Sequence, residues 1–261
     1  MKISIITTSY NSARTLRDTM DSVLRQEYTN YEFVVVDGAS KDGTVDIIRE
    51  YEPRFEGRMR WVSEPDGGIY DAMNKGIAMA TGDVVGILNS DDFYTSSDIL
   101  STIAHAFSLP DVPDAVYGDV HYVDEADTTK IVRYYSSQKF TPKRMLMGYM
   151  PAHPSFYVRR ECYEKYGAFD TSYRVAADFE NLLRLIYVNK IRTHYVAKDF
   201  VTMRMGGASS SGISSYLRIV ADHFGAFKKN ELAPHYLLYF LRYAKKLFEF
   251  SKKNRKKVKH Q

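Results

Sequence analysis

A chain of 261 residues with 44% hydrophobic and 26% charged side chains can bury a full core, as one large α/β domain or as a domain with an appendage. Its single cysteine, Cys162, excludes an intrachain disulfide, so the fold needs no oxidising compartment. The net charge of +4 is uneven: residues 228–261 hold eleven Lys or Arg against two acids, a local balance of +9 that leaves −5 on the rest. Basic character therefore belongs to a tail, which argues against a nucleic-acid-binding body.

The β-branched run Lys2 to Thr8 predicts a first strand, ending in the polar turn Thr7-Thr8-Ser9-Tyr10-Asn11-Ser12. Ser12 is placed to cap a helix running to Gln26. Glu32 to Val36 reads as a second buried strand, followed by Asp37-Gly38-Ala39-Ser40 and a helix from Thr44 to Tyr51. Met59 to Ser63 gives a third strand and Ile69 to Ala80 a third helix, closed by Thr81-Gly82-Asp83 with glycine as a stop signal. The apolar run Val84 to Leu88 then empties into Asn89-Ser90-Asp91-Asp92, and a helix beginning at Ser96 or Ser97 runs to Phe107.

Strands alternating with helices of this length predict βαβ units and a parallel sheet. Right-handed crossovers put the tips after Thr8, Val36, Ser63 and Leu88 on one edge, where open α/β sheets bind ligands. Each of those tips is polar or acidic.

The second half is less regular. Short strands are expected at Ala115 to Tyr122, Thr129 to Tyr135 and Ser155 to Val158, with helix near 139–147, 160–166 and 178–188. Arg192 to Met205 reads as one or two strands, and Gly206 to Gly212 as a flexible loop before further helix.

Neither a P-loop nor a G-x-G-x-x-G turn after the first strand is present, which argues against a dinucleotide dehydrogenase. The first turn instead carries a hydroxyl and an aromatic ring, and the next tip carries Asp37. A ring can stack on a base and a carboxylate can accept from a base or ribose, although an Asp before glycine also simply stabilises a turn. The adjacent Asp91 and Asp92 at a strand tip suit a hard divalent ion, Mg²⁺ or Mn²⁺; the plainer reading is a solvated turn with Asp92 capping the next helix.

The Thr8-Ser9-Tyr10-Asn11 turn, Val36-Asp37-Gly38-Ala39-Ser40 with Asp42-Gly43-Thr44, Glu64-Pro65-Asp66 through Asn74-Lys75-Gly76, and Asn89-Ser90-Asp91-Asp92 stand in an order and spacing that resembles family 2 glycosyltransferases of the soluble bacterial polysaccharide-assembly type. These motifs cover most of residues 1–95; the second half is similar only loosely. The resemblance implies a GT-A fold, an α/β sheet that is mostly parallel and flanked by helices, with a C-terminal helical extension. It implies a nucleotide-diphosphate sugar donor, UDP-sugar favoured, a divalent metal, inversion at the anomeric carbon, and a glycan or lipid-linked glycan acceptor.

Carried over by position, Thr8, Tyr10 and Asp37 would hold the nucleotide, with Asp66, Lys75, Asn89 and Asp91 in the same nucleotide-sugar-binding set. Asp92, with Asp91, would hold the metal. Many members have Arg-Asn where this chain has Met73-Asn74, and Lys75 is placed to substitute. Ala176-Ala177-Asp178-Phe179-Glu180 lies where the family places its general base; Asp178 is the first choice and Glu180 the second, with helix capping the competing role for Asp178. His153, between two prolines, resembles a position near the acceptor, and Arg204 before Gly206-Gly207 could close over the diphosphate.

The expected organisation is a 1–227 domain, with a nucleotide-sugar half at 1–95 and an acceptor half at 96–227, followed by a 228–261 tail. In that tail Leu237, Phe240, Leu241, Ala244, Leu247 and Phe248 form one helical stripe opposite a basic face, a pattern suited to an anionic membrane surface through 236–261 or to packing on the domain. No apolar run approaches the ~20 residues of a membrane span. The expectation is a cytoplasmic protein, peripheral on the inner face of the membrane if the tail binds there. A sugar-phosphate nucleotidyltransferase or a non-catalytic membrane adaptor are the alternatives; the first usually needs a glycine-rich basic loop that Ser9-Tyr10-Asn11-Ser12 is not.

Overall fold

A computed structural model describes residues 1–206 and 212–242, with the backbone alone at 212–216. The first half alternates as the apolar periodicity requires: β1 (Ile3–Ser9), α1 (Leu16–Leu24), β2 (Tyr31–Asp37), α2 (Thr44–Tyr51), β3 (Met59–Ser63), α3 (Ile69–Met79) and β4 (Val84–Ile87). These four strands are parallel in the order β3-β2-β1-β4. Alternate residues of each strand enter opposite layers. Ile6, Val34, Val36, Val85 and Ile87 pack on α3 through Tyr70, Met73 and Ile77. Ile3, Ile5, Phe33, Val35 and Val84 pack on α1 and α2 through Leu16, Met20, Ile47 and Ile48. A strand buried on both faces is what a continuous β-branched run encodes.

Next come β5 (Phe93–Tyr94), α4 (Ile99–Ala106), β6 (Ala115–Val123), β7 (Ile131–Tyr135), β8 (Phe156–Arg159), α5 (Arg160–Tyr166), α6 (Ala177–Leu182), β9 (Thr193–Arg204) and α7 (Gly212–Lys229), with a last helix, α8, over 236–242. The sheet continues β4-β8-β6-β9-β5, with β7 beside β6. The β4–β8, β6–β8, β6–β7 and β5–β9 pairs are antiparallel and β6–β9 is parallel, so the sheet is parallel over β3-β2-β1-β4 and mixed beyond β4. The first part of β6 lies between β8 and β9, the second between β7 and β9.

Several boundaries differ from the sequence expectation for local reasons. The chain from Ser12 makes a turn in which the Ser12 carbonyl accepts from the Thr15 and Leu16 amides, and α1 begins only there. Gly82 does not end α3 by a left-handed turn; a Cβ there would stand 2.6 Å from Ser4 Oγ and 2.8 Å from the Lys2 carbonyl, so glycine serves close packing against β1. Residues 142–147 form a 3-10 segment behind a proline, and α6 continues as a π-helical turn, Leu183–Val188.

The expected boundary at 227/228 falls inside α7. Tyr239 of α8 is fully buried in the same layer as Phe179 and Phe227, so the chain through 242 packs on the domain. Leu237, Phe240 and Leu241 lie on the exposed side of α8, whereas Arg242, expected on the polar face, reaches the Gly148 carbonyl. Ala244, Leu247 and Phe248, the remainder of the predicted stripe, lie outside the described residues.

Candidate active site

Three parallel tips are in register at the carboxyl edge: Ser9 is opposite Asp37, and Asp37 is opposite Ser63. Asp37 is fully buried and accepts from the Ser9 hydroxyl (3.1 Å), the Ser63 hydroxyl (2.7 Å), the Ser40 amide (2.9 Å) and the Ser40 hydroxyl. Those four donors use the lone pairs of one carboxylate. Asp37 thus ties the rim together, and a nucleotide would have to displace one of its partners. The side chains standing over the rim are Tyr10, 68% exposed, and Asp66. A Cβ on Gly38 would lie 2.6 Å from Asp66 Oδ2 and 3.2 Å from the Tyr10 ring, so glycine leaves the hollow between ring and carboxylate open.

Thr8 is buried one residue back from the rim, opposite Val36. Lys75 pairs with Glu64 (2.8 Å) and donates to the Pro65 carbonyl (3.0 Å), bracing the segment that presents Asp66.

The acidic turn after β4 is held from two sides. Thr19 of α1 donates to the Asp92 carbonyl (2.7 Å), Ser12 and Ser90 share a hydroxyl contact (2.9 Å), and Arg204 donates to the Asp91 carbonyl and to the Asp18 carboxylate. Arg204 is therefore a buried brace beneath the turn; the glycine and serine stretch at 207–211, expected to help it close over a diphosphate, lies outside the described residues. Asp92 is 1% exposed and precedes β5, so it neither caps α4 nor meets solvent. Burial and the charge of Asp91 push its carboxyl up to about 7, against the Asn89 amide, which donates to it at 2.9 Å, and the field of His153. Burial also raises Asp91.

Asp91 and Asp92 make no ion pair among the described residues, and the buried Asn89 Oδ1 has no donor. Two adjacent carboxyls raised by burial beside an amide oxygen with no donor fit a hard divalent cation, in addition to the fields of Arg204 and His153. No group of three or more metal-type side chains stands among the described residues, so such a cation would draw most of its ligands from a phosphorylated substrate and water.

His153 Nδ1 lies 3.3 Å from Asp178 Oδ2. Burial lowers the His153 pKa, but the hydrogen bond and charge of Asp178 and the charges of Asp92 and Asp91 outweigh it, leaving the imidazole above its ordinary value. For Asp178 burial acts upward, and the His153 hydrogen bond and charge with the Phe179 amide hold it below the usual carboxylate range. Each partner thus favours the charged form of the other. Tyr70, on α3, donates to the Val175 carbonyl (2.6 Å) and lies 3.4 Å from Asp178 Oδ1; burial and then the Asp178 charge keep its phenol protonated.

Asp178 Oδ1 accepts from the first-turn Phe179 amide of α6 (2.9 Å), and Asp222 of α7 accepts from the Val175 and Ala176 amides just ahead of the helix (3.1 Å each). Glu180 does not face the cleft: it is fully buried, paired with Arg184 (3.0 Å) and contacted by Asn230 (3.3 Å), which corrects its reading as a second base. Sequence reasoning misses Tyr70 and Asp222. The signal for Tyr70 is its place two residues after Gly68 in the third motif; Asp222 has none.

The model of the family described as "Glycosyl transferase family 2" matches residues 4–167. The chain belongs to glycosyl transferase family 2. A "PGL/p-HBAD biosynthesis glycosyltransferase" of Mycobacterium bovis is 31% identical over 193 residues, 74% of this chain and 73% of the relative. An uncharacterised glycosyltransferase of Mycobacterium tuberculosis is 31% identical over 224 residues, 84% and 83% of the two chains. Among solved structures, S. aureus TarS in complex with UDP-GlcNAc superposes with a TM-score of 0.68 at 21% identity, covering 85% of this glycosyltransferase and 66% of TarS. The mannosyltransferase PcManGT from Pyrobaculum calidifontis, in complex with GDP-Man and Mn2+, gives 0.67 at 21% identity, covering 87% and 63%. The transferase thus spans just under two thirds of each of these structures, which share its GT-A fold. The family match stops before Asp178.

Proposed function

We propose that this glycosyltransferase moves a sugar from a nucleotide-diphosphate donor, UDP-sugar favoured, to a glycan or lipid-linked glycan hydroxyl with inversion. One observation supports the reading most: His153, 3.3 Å from Asp178, also feels the charges of Asp92 and Asp91, so the candidate base and the acidic turn share one electrostatic field. The nucleotide sugars in the complexes of the two solved relatives, and the Mn2+ of the mannosyltransferase, support a donor of this class.

Tyr10 and Asp66 would receive the base and ribose over the rim that Asp37 fastens. Asp91 and Asp92 would hold a divalent cation, which when bound supplies neutralising charge to the departing diphosphate. The acceptor oxygen attacks C1 from the opposite face, its proton passes to Asp178, and the C1–phosphate oxygen bond breaks. His153 and Tyr70 hold the Asp178 carboxylate ionised and oriented, leaving lone-pair capacity on Oδ2. Among the described residues no helix is long and apolar enough to cross a membrane. The exposed Leu237, Phe240 and Leu241 of α8 support contact with a lipid surface carrying the acceptor; loss of anionic-vesicle binding on Leu237→Glu with Leu241→Glu tests it. The main reading is tested by nucleotide-diphosphate release from UDP-, GDP- and dTDP-sugars with Mn²⁺. No release from any donor, together with no thermal stabilisation by any of them, would refute it.

A further inference from the structure

Beside the catalytic cleft, the acceptor half carries a second hollow that donor chemistry does not use. A cavity of about 290 Å³ lies between the end of β7 and the segment leading to His153, walled by Tyr135, Ser137, Phe140, Arg144, Tyr149 and Met150. Its size is at the lower end for small-molecule sites, enough for one sugar-sized group.

Arg144 lines it, and Arg133 and Arg242 stand against rings of its wall. The Arg144 and Arg242 guanidinium carbons stand 4.3 and 4.1 Å from the Tyr149 ring centre, and Arg133 lies 5.9 Å from that of Tyr135. Burial pushes the Tyr135 phenol up while the fields of Arg242, Arg133 and Arg144 pull it back, so all three charges act at one place. Among the described residues Arg133 and Arg144 are paired with no carboxylate; Arg144 donates to the Lys139 carbonyl at 2.7 Å. The nearby Asp119 is already engaged by the Ser137 amide (2.6 Å), the Ser136 hydroxyl (3.1 Å) and the Tyr195 hydroxyl (2.9 Å).

Ser137 supplies an independent sign. It is 3% exposed and its Oγ has no hydrogen-bond partner, a state in which a buried hydroxyl is rarely left. The hollow also communicates with the chemistry. The Tyr135 hydroxyl donates to the Met150 carbonyl at 2.6 Å, three residues before His153. Arg133 also lies 5.3 Å from the Tyr122 ring, whose phenol feels the charges of Asp92 and Asp178.

We propose that this pocket binds a phosphate carried by the acceptor saccharide, with Arg133 and Arg144 on the anion, Ser137 on one of its oxygens, and Phe140 and Tyr149 against the sugar. Guanidinium forks match phosphate oxygens, and aromatic faces cover the apolar side of a sugar ring. The inference rests on the glycosyltransfer reading and deepens it by naming the acceptor class as a phosphorylated saccharide, free or lipid-borne.

Calorimetric titration of the full chain, with UDP and Mn²⁺ saturating the donor cleft, tests it. The probes are glucose 1-phosphate, glucose, glucuronate, inorganic phosphate and polyprenyl-phosphate glucose in detergent micelles. Glucose 1-phosphate should bind about tenfold or more tighter than glucose or glucuronate. Arg144→Gln and Arg133→Gln should each weaken it about tenfold and Ser137→Ala by less, while UDP affinity and melting temperature stay at wild-type values. Tighter binding of the micellar probe supports a lipid carrier as the source of the phosphate; equal binding supports a phosphate borne by a free saccharide. Equal affinity for glucose and glucose 1-phosphate, no loss in either arginine variant, or competition between UDP and glucose 1-phosphate would overturn the assignment. If UDP fails to bind while the sugar phosphate still does, the donor reading falls and the pocket stands.

Discussion

Carboxylate-to-amide substitutions at two places should separate folding from chemistry, and Glu32 gives the magnitude. It is 4% exposed at the edge of the sheet opposite the rim. Burial alone would raise its pKa, but donors from Lys2 (2.8 Å), Ser4 (2.6 Å) and the amide and hydroxyl of Thr81 overturn that and hold it at about 2 instead of 4.5. A carboxylate so displaced stabilises the folded state by about 3 kcal/mol at neutral pH. Because the folded value is depressed, that stabilisation is present above pH 4.5 and is lost as the pH falls through 2. In Glu32→Gln one amide NH₂ would face the Lys2 and Thr81 donors. The variant should lose about 3 kcal/mol in urea unfolding at pH 7, or roughly 6 °C in melting temperature, with the deficit shrinking toward acid. Donor affinity should not change. A midpoint equal to wild type at pH 7, or a deficit that widens as the pH approaches 3, would refute the reasoning.

Asp178→Asn should keep donor binding while lowering turnover by about 10²–10⁴, with some fall in melting temperature because its depressed carboxyl and His153 partner are lost; normal turnover in the folded variant would move the base elsewhere. Since His153 holds Asp178 low, the acid limb of wild-type turnover should lie below the ordinary carboxylate range, and a limb near neutrality would contradict an ionised Asp178. Gly38→Ala puts a methyl 2.6 Å from Asp66 Oδ2 and should weaken donor binding measured by calorimetry, with little loss of turnover at saturation; unchanged affinity would place the base outside that hollow. Asp92→Ala should abolish the extra thermal stabilisation that Mn²⁺ adds to a donor, and its persistence would retire the metal assignment.

The first half was legible because its signals are local. Runs such as Phe33-Val34-Val35-Val36 are buried on both faces, and each ends in polar residues that the parallel register then aligns. The second half depends on partners remote in the chain. Lys198 and Asp199 interrupt the apolar pattern of β9, yet it is one twelve-residue strand, its charges met by Asp98 and His121. A two-residue strand such as β5 carries no period at all. Asp178 and Glu180 could not be told apart by spacing, because side chains two apart on a helix point to nearly opposite sides and only the packing of α6 selects which meets the cleft. The roles of Asp37 and Arg204 as braces follow from hydrogen bonds that motif position does not reveal.

Asp222, reaching back from α7 to the Val175 and Ala176 amides, has a consequence for shortened forms of the enzyme. Proteolysis ahead of that helix would spare every group proposed to grip the donor and strip the support beneath the proposed base. The remnant would sequester nucleotide sugar without passing it on, turning a worn catalyst into a competitor of the intact one.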